Sequence, residues 1–507
     1  MKKIYGICMI VALSALSACS DFLDVNDKKD LTNVSFWQTE QHVLQGLTAT
    51  YAALQSYDGD KWNFFEEVYI GLTYRADDID NNKSQSYGQK LASFTSTTEE
   101  STGYKLWLTC YAGIARANQV IQQTPQVKVL SDAAMNAYIG EAKFLRALNY
   151  FFLVCSFENV PKVTTFEGDL NKLLPAQAPQ AEIWALIEED LQAAEKYLPE
   201  SYADEWAGRA TKWTAKAMLA KVYLFEEKWT AAEDKFRDVV DNGPYALLSN
   251  YADNFNGLGE NGSESVFEIQ FSGDRNGGVD ERHPINWEIS PGALDGWELF
   301  YPSEWLMSEM MNDKTPGGEY SARVYESVFF DDPSSQMRPP TGTNYVPYAD
   351  VKSSLTYPYY FKKYNAWSDR QGSYVGTNVS IMRFADVLLM YAEALNENGK
   401  TAQAIDEINK VRTRSGAAPL SGMTKDQLRQ QIRHHERPVE LAMEYAIRWL
   451  DLYRWSRGNT VKESVKATLM QHNKPFVANF IEGKHEINPI PYQEIILNRN
   501  LVQSDNW

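Results

Sequence analysis

The sequence contains few of the residues that build metal centres and disulfide frameworks. Its 507 residues include four cysteines and six histidines, without a CxxC pair, a paired Cys/His spacing or an HExxH motif. Those patterns are the usual signatures of zinc and redox sites, so we expect neither a metal nor a cofactor. Cys110 and Cys155 lie in apolar helical patterns, which favours core thiols but leaves a disulfide between them open.

Positive charge is scarce, and long apolar runs are missing beyond the N-terminus. The chain has 49 Lys and Arg against 67 Asp and Glu, a formal net charge of −18. This balance disfavours nucleic acid and anionic lipid surfaces as partners. Past residue 18, no apolar run approaches the roughly 18 residues that indicate a transmembrane helix. We therefore expect no membrane-spanning segment in the remainder of the chain.

The N-terminus has the pattern of a secretory signal. Two lysines precede the uncharged stretch 4–18, which would rise about 22 Å as a helix, short of the roughly 30 Å bilayer core. The sequence Leu-Ser-Ala-Cys at 16–19 resembles a bacterial lipobox, which implies cleavage before Cys19 and lipid attachment to it. This predicts a signal peptide over 1–18 and a lipidated, acidic tether over 19–35. Plain secretion with an incidental cysteine is the alternative.

Most of the remaining chain has the apolar periodicity of helices. The residues 213–247 fit a TPR-like helical hairpin, in which small residues such as Ala220 and Ala232 let the two helices approach closely. The residues 384–416 have the same pattern, with a turn at Asn398-Gly399. Further helices are predicted over 39–57, 104–123, 132–157, 181–198 and 425–456.

The segment between the two hairpins is different in composition. Residues 250–380 are rich in Gly, Pro, Asn and aromatic residues, and 264–273 alternates like a strand. Dense aromatic residues argue against disorder, so we interpret this segment as an ordered, loop-rich subdomain. The predicted fold is mainly α: TPR-like hairpins form a scaffold over 36–249 and 381–507, and the irregular insert over 250–380 carries short strands.

Several motifs together resemble one family, the SusD/RagB nutrient-binding outer-membrane lipoproteins. In chain order they are CSDFLD (19–24), FWQTE (36–40), EAKFLRALNYFFLVCSFENVP (141–161), RATKWTAKAMLAKVYLF (209–225), IMRFADVLLMYAEALNENG (381–399), HERPVELAMEYAIRWLDLYRW (435–455) and INPIPYQEIILNRNLVQ (487–503). Each motif alone is weak, but the combination is specific. The departures are mild, such as Glu158-Asn159 and Ala446 where the family pattern has Gly.

The resemblance implies a function that composition alone does not. Such proteins are not enzymes, and they are lipid-anchored at the outer membrane above a SusC-like TonB-dependent transporter. They deliver oligosaccharides to it, or in some members peptides. The acidic residues after Cys19 then fit the surface-export signal of such lipoproteins.

Two stretches have the composition of a sugar-binding site, with flat apolar faces for C–H surfaces and polar groups for hydroxyls. They are 61–88 and 286–305, the regions that bind ligands in related SusD-like proteins. The second stretch contributes Trp297 and Trp287. From the first stretch we select Tyr74, Asp78, Trp62 and Asn82.

Two other functions remain open from sequence alone. One is a peptide-binding, RagB-like member of the same family. The other is a surface glycoside hydrolase, which needs two carboxylates roughly 5–9.5 Å apart, and the many acidic residues do not single out such a pair. The residues Arg-His-His-Glu-Arg at 433–437 are expected on the solvated face of a charged helix.

The lipobox predicts that Cys19→Ala abolishes lipid attachment, because Cys19 is the thiol at the processing site. Cells labelled with radioactive palmitate should give a labelled wild-type protein and an unlabelled variant. Cys8→Ala is the matched control, because Cys8 leaves with the signal peptide and its loss should not change labelling. Equal labelling of the Cys19→Ala variant and the wild type would contradict the anchor.

Overall fold

The computed structural model describes residues 36–55, 72–82, 88–99, 101–166, 174–273, 281–365 and 374–507. The predicted signal peptide and lipidated tether lie outside the described residues. None of the helices in these ranges combines the length and apolar composition that crossing a membrane requires.

The first half of the chain is helical, as predicted. Its helices are α1 (Glu40–Ala52), α2 (Gln89–Ala92), α3 (Ser101–Gln123), α4 (Asp132–Phe157), α5 (Gln180–Tyr197), α6 (Lys212–Phe225) and α7 (Trp229–Asn242). Hydroxyl side chains fix three of the starts, because Thr39, Ser131 and Thr211 each accept a backbone N–H from the first turn of α1, α4 and α6.

Helix α4 is the centre of the core. From Gly140 to its end at Phe157 it is buried on all sides, and it packs against both α3 and α5. Helix α1 packs on α3 and α4, and the ring of Trp37 covers Gly46, where a Cβ would lie 2.3 Å from the indole. A residue larger than glycine at position 46 would therefore displace Trp37, the tryptophan of the FWQTE motif.

Both TPR-like hairpins are confirmed. Helix α6 packs on α7, and after the insert α12 (Phe384–Glu397) packs on α13 (Thr401–Arg414). The two hairpins are separated in sequence, yet α7 packs directly on α12. Glu233 on α7 strengthens this contact, because it accepts a hydrogen bond from Asn398 and pairs with Lys400 at the turn of the second hairpin.

The insert contains short helices and two-stranded pairs, as its composition predicts. Its helices are α8 (Ile285–Ile289), α9 (Glu304–Asn312), α10 (Ala322–Ser327) and α11 (Tyr348–Val351). The strands of the chain are β1 (Ile79–Asn81), β2 (Val160–Pro161), β3 (Gln177–Ala178), β4 (Ser265–Ile269), β5 (Phe300–Pro302), β6 (Val328–Phe329), β7 (Gln336–Met337), β8 (Val346–Pro347), β9 (Tyr360–Phe361) and β10 (Val379–Arg383). The antiparallel pairs are β1–β5, β2–β3, β4–β10, β6–β9 and β7–β8. The predicted strand over 264–273 corresponds to β4.

The continuous helix predicted over 425–456 is wrong. The chain forms α14 (Lys425–Gln431), a π-helical turn (Ile432–Glu436), α15 (Arg437–Glu440) and, after a break, α16 (Ile447–Arg457). Beyond them lie α17 (Val465–Gln471) and α18 (Tyr492–Leu497). The break contains Met443, Tyr445 and Ala446, all with positive φ.

The solvated face expected for residues 433–437 is also wrong. Arg433, His435, Glu436 and Arg437 are all buried, and only His434 is partly exposed. The helical pattern was misleading because each of these charged side chains pairs with an oppositely charged side chain from elsewhere in the chain. His435, for example, lies 2.8 Å from Glu309, a residue of the insert.

Cys110 and Cys155 are buried free thiols, which confirms the core-thiol interpretation. Burial raises the pKa of both thiols well above the usual value, so they remain protonated at neutral pH.

A buried ion network joins the insert to the C-terminal half. Arg383, at the end of β10, bonds to Glu264 at 2.8 Å, to Glu440 at 2.6 Å and to Glu444 at 2.7 Å. The remaining cations, all similarly buried, are Arg323, Arg412, Arg414 and Lys363, and the remaining anions are Asp313 and Glu436. Five cations thus face five anions, and this balance is what permits their burial.

Glu440 is the carboxylate that this network depends on most. Burial raises its pKa, but the guanidinium groups of Arg414, Arg383 and Arg323 outweigh burial and lower the pKa to about 2. Replacing it with glutamine keeps the shape and removes the charge that compensates three arginines. We expect Glu440→Gln to lower the free energy of unfolding by about 3–5 kcal/mol in urea denaturation.

Asp331→Asn is the control, because the Asp331–Lys352 pair is more than half exposed on both sides and solvent screening leaves such a pair with little effect on stability. The effect of Glu440→Gln should also depend on pH. A lowered pKa stabilises the fold above the unfolded-state pKa near 4.3, and this contribution is lost as pH falls towards 2. A Glu440→Gln defect as small as that of Asp331→Asn, or one unchanged between pH 7 and pH 3, would contradict this account.

Candidate ligand-binding site

The pairing of β1 with β5 brings the two predicted sugar-binding stretches together. The strands are antiparallel, with Asp80 opposite Tyr301. The pairing extends beyond the strands, since the backbone N–H of Asn82 donates to the carbonyl of Leu299 at 2.8 Å. Two stretches more than 200 residues apart in sequence are therefore neighbours along one ribbon.

Trp287 and Trp297 form a pair beside this ribbon. Their ring centroids are 5.8 Å apart with an interplanar angle of 42°, and both side chains are half-buried. Backbone bonds hold the two segments side by side, because the N–H of Trp297 donates to the carbonyl of Trp287 at 2.7 Å. The structure thus brings together the two residues of the second predicted stretch, and each keeps part of its ring accessible.

The loop that carries Trp297 depends on a glycine. Gly296 lies so close to Ser290 that a Cβ would be 2.0 Å from the Ser290 carbonyl oxygen. The next residue but one, Glu298, has a positive φ of 42° and accepts hydrogen bonds at 2.9 Å from both Thr356 and Tyr360. Glu298 therefore ties the Trp297 loop to the segment around residue 357.

The residues predicted from the first stretch lie in a different layer. Tyr74 is 2% exposed and packs edge-on against Phe300 of β5 at 5.7 Å. Asp78 is 2% and Asn82 9% exposed, so the structure buries both beside β1. Trp62 lies outside the described residues. Tyr74, Asp78 and Asn82 are therefore buried around β1, whereas Trp287 and Trp297 are only partly buried.

A cleft with a volume of about 580 Å³ lies beside β5 and is lined by two aromatic stacks. Tyr301 stacks on Tyr357 with centroids 3.7 Å apart, and Trp305 stacks on His472 with centroids 3.9 Å apart and nearly parallel rings. Because aromatic faces and polar edges alternate along its wall, the cleft can hold a ligand with both apolar and hydroxyl-rich surfaces.

Fixed charges beneath the cleft hold these rings in place. The Nε and Nη2 groups of Arg448 each donate a hydrogen bond of 2.6 Å to the carboxylate of Asp77. The guanidinium carbon lies 4.7 Å from the centre of the Trp305 ring. His472 also contacts Asp77, with 2.6 Å between Nδ1 and the carboxylate. Burial alone would raise the pKa of Asp77, but the ion pair with Arg448 holds it well below the usual value. The neighbouring Asp78 has a pKa raised to about 7 by burial and by the charge of Asp77.

Sequence reasoning missed half of this cleft. Tyr301 and Trp305 lie within the predicted stretch 286–305, whereas Tyr357 lies in a part of the insert for which no ligand contact is predicted. His472 and Lys474, on the far wall, gave no sequence signal, because nothing local in their segment distinguishes a cleft residue from a helix end. Among the described residues there is no cluster of three or more His, Cys, Asp or Glu that could hold a metal ion.

Comparison with known proteins agrees with this architecture. A family model described as "SusD family" matches residues 263–507, and one described as "Starch-binding associating with outer membrane" matches residues 21–224. The SusD-like protein P25 of Formosa agariphila is 27% identical in an alignment of length 525, gaps included. The alignment covers 96% of this chain and 95% of that protein. The chain belongs to the SusD family.

Two solved structures show the same fold. A SusD superfamily protein from Bacteroides vulgatus superimposes with a TM-score of 0.82 at 26% identity, covering 93% of this chain and 100% of that one. A laminarin-binding SusD-like protein gives a TM-score of 0.74 at 26% identity, with the same coverage. None of these relatives carries the name of an enzyme, and the last one is named for a glycan that it binds.

The two departures from the SusD-family glycine pattern fall at strained backbone positions. Glu158, at the end of α4, has a φ of 60°, and Ala446, before α16, has a φ of 57°. Glycine adopts positive φ at little cost, whereas a side chain is strained there. In the left-handed helical region, which Ala446 occupies, the cost is roughly 1–2 kcal/mol. The family motif therefore specifies backbone geometry at these two sites, and this chain keeps the geometry at an energetic cost.

Proposed function

We propose that this SusD-family protein captures oligosaccharides at the Trp287–Trp297 pair and the adjoining aromatic cleft. The observation that carries the proposal is the pair itself: two half-buried indoles, 5.8 Å apart, on a loop fixed by backbone bonds. A rigid, partly exposed aromatic face suits the C–H surface of a sugar ring. The hydroxyl, amide and carboxylate groups around the cleft suit its hydroxyls.

The proposal extends to where the ligand goes. The predicted lipid on Cys19 would hold the protein at the outer membrane, facing outward, and a SusC-like TonB-dependent transporter would receive the glycan. The description of the matched model as associating with the outer membrane, and the laminarin-binding neighbour, support this direction. A binding protein without its own route across the membrane needs such a partner.

Trp297→Ala should weaken glycan binding about five- to thirtyfold, because one stacking face contributes on the order of 1–2 kcal/mol. The binding glycan is first identified on a glycan array with the wild-type protein, and both proteins are then compared by calorimetry. Trp287→Ala should show a smaller loss of the same kind. Melting temperatures should stay within a few degrees, because the tryptophan loop lies outside the helical core.

The control is Trp229→Ala, which removes another half-buried indole, on α7 of the TPR-like hairpin. It should leave glycan affinity unchanged. Normal binding by both Trp287→Ala and Trp297→Ala would place the site elsewhere. Binding of peptide mixtures with no glycan binding, or hydrolysis of a bound glycan, would replace the proposal with one of the alternatives.

The proposed partnership predicts a stable complex. Affinity purification of the native lipoprotein from outer membranes, in mild detergent, should recover a TonB-dependent barrel in about equal amount. The Cys19→Ala variant, which we expect to lack the lipid anchor, serves as the control for non-specific recovery. Isolation of the wild-type lipoprotein alone in several mild detergents would argue against the transporter as its partner.

A further inference from the structure

The loop between α5 and α6 carries an aromatic cluster that the proposed site does not use. In this loop Arg209 lies under two rings, with its guanidinium carbon 4.4 Å from the centre of Tyr202 and 5.2 Å from the centre of Trp206. Trp206 ends a short 3₁₀ turn that begins at Asp204. The cluster is therefore a stack of one cation and two aromatic rings at the protein surface.

This stack is anchored in the helical core. Arg209 donates two hydrogen bonds to Glu141, at 2.8 and 2.5 Å, and Glu141 is a fully buried residue of α4. The same carboxylate accepts a hydrogen bond from the hydroxyl of Tyr51 at 2.7 Å. A bidentate, buried ion pair of this kind fixes the position of the guanidinium and, through it, of the rings that rest on it.

Trp206 remains open on its outer side. Its side chain is 41% exposed, among the large apolar residues that the described part of the chain leaves at the surface. Within that part, its indole Nε1 donates to no protein acceptor. A tryptophan held rigid on one face and exposed on the other is an arrangement typical of a binding surface.

Trp206 forms one wall of a cleft of about 400 Å³. Its lining also includes Asn261 and Ser263 of the turn before β4, and Phe267 and Glu268 of β4 itself. This volume lies in the range of small-molecule sites, roughly 300–1,000 Å³, and the lining combines aromatic rings with hydrogen-bonding groups. The cleft shares no lining residue with the cleft beside β5.

The charges around the cleft indicate the class of ligand. Its lining cation, Arg209, is paired with Glu141, and Glu200 is paired with Lys212, while Asp204 and Glu268 add negative charge. An anionic ligand would therefore be repelled. A cationic ligand would compete with Arg209, which already covers one side of the Tyr202 and Trp206 rings. A neutral ligand with a flat C–H face and several hydroxyls meets neither obstacle.

We propose that this Trp206 cleft is a second binding site, separate from the Trp287–Trp297 pair, for a neutral saccharide. The inference rests on the proposed function for the ligand class and on the Trp206 cleft for the location. Two sites on one rigid protein would let a long glycan attach at two points, which raises the apparent affinity for polymers without changing the affinity of either site.

The test compares Trp206→Ala with the wild type in native gels containing a polysaccharide. The probes are the neutral polymers amylopectin, laminarin, galactomannan and xyloglucan, and the anionic polymers polygalacturonate and alginate. We expect retention by the neutral polymer that binds to weaken about three- to tenfold, with unchanged binding of a short oligosaccharide that fills the Trp287–Trp297 site. Tyr492→Ala, which removes a ring 46% exposed on α18, should have no effect.

A second measurement keeps Trp206 in place. N-bromosuccinimide oxidises exposed indoles, and mass spectrometry reports the extent at Trp206. In the Trp297→Ala background, the neutral polymer should still protect Trp206 from oxidation. No protection there, together with normal polymer retention by Trp206→Ala, would overturn the second site and leave the proposed function intact.

Other outcomes are equally decisive. Protection of Trp206 by an anionic polymer or by polylysine, without protection by a neutral polymer, would overturn the ligand class. A wild-type protein that binds none of the polymers and no glycan on an array would overturn both the second site and the proposed function.

Discussion

The balance of charge around Arg383 is the constraint on which the arrangement of the chain depends. A buried guanidinium is stable only when carboxylates reach it. Those carboxylates are Glu264, directly before β4, Glu440, at the end of α15, and Glu444, in the break that follows. The same network reaches the insert through Lys363, which bonds to Glu444 at 2.7 Å. Two residues later, Asn365 donates to Ser290 at 2.9 Å, and the carbonyl of Ser290 accepts the N–H of Glu298. A short series of bonds thus links the buried charges to the loop that carries Trp297.

The helical scaffold could be predicted because its signals are local. Apolar periodicity identified α1, α3, α4 and α5, and small residues at Ala220 and Ala232 indicated the first TPR-like hairpin. The predictions for the region after residue 425 were wrong because the structure there depends on contacts that are not local in sequence. Its charged residues have helical spacing and suggest a solvated face, but Arg433, Glu436 and Arg437 are buried and pair with residues outside their own helical turn. Charge in a sequence shows that a partner or water is needed, and only the fold shows which.

Only part of the candidate site could be predicted from the sequence. Trp287 and Trp297 could be found because large aromatics between Gly and Pro residues stand out from core positions. Tyr74, Asp78 and Asn82 have the right composition for a sugar site, yet the pairing of β1 with β5 places them in a buried layer. The cleft residues Tyr357 and His472 could not be assigned from sequence, because their stacking partners lie about 55 and 165 residues away. Trp206 was passed over because its loop contains no motif.

The antiparallel pair β4–β10 affects how a protein with this fold can evolve. Ser265 lies opposite Arg383, so the points where the insert leaves the helical scaffold and returns to it are paired with each other. A segment that enters and leaves a scaffold at neighbouring points can become longer or shorter, or can be replaced, with little effect on the scaffold, as in domain insertion. The TPR-like hairpins pack on each other through α7 and α12 without help from the insert. New ligand specificities can therefore arise at the Trp287–Trp297 pair by replacing the loops between β4 and β10, without repacking the TPR-like hairpins.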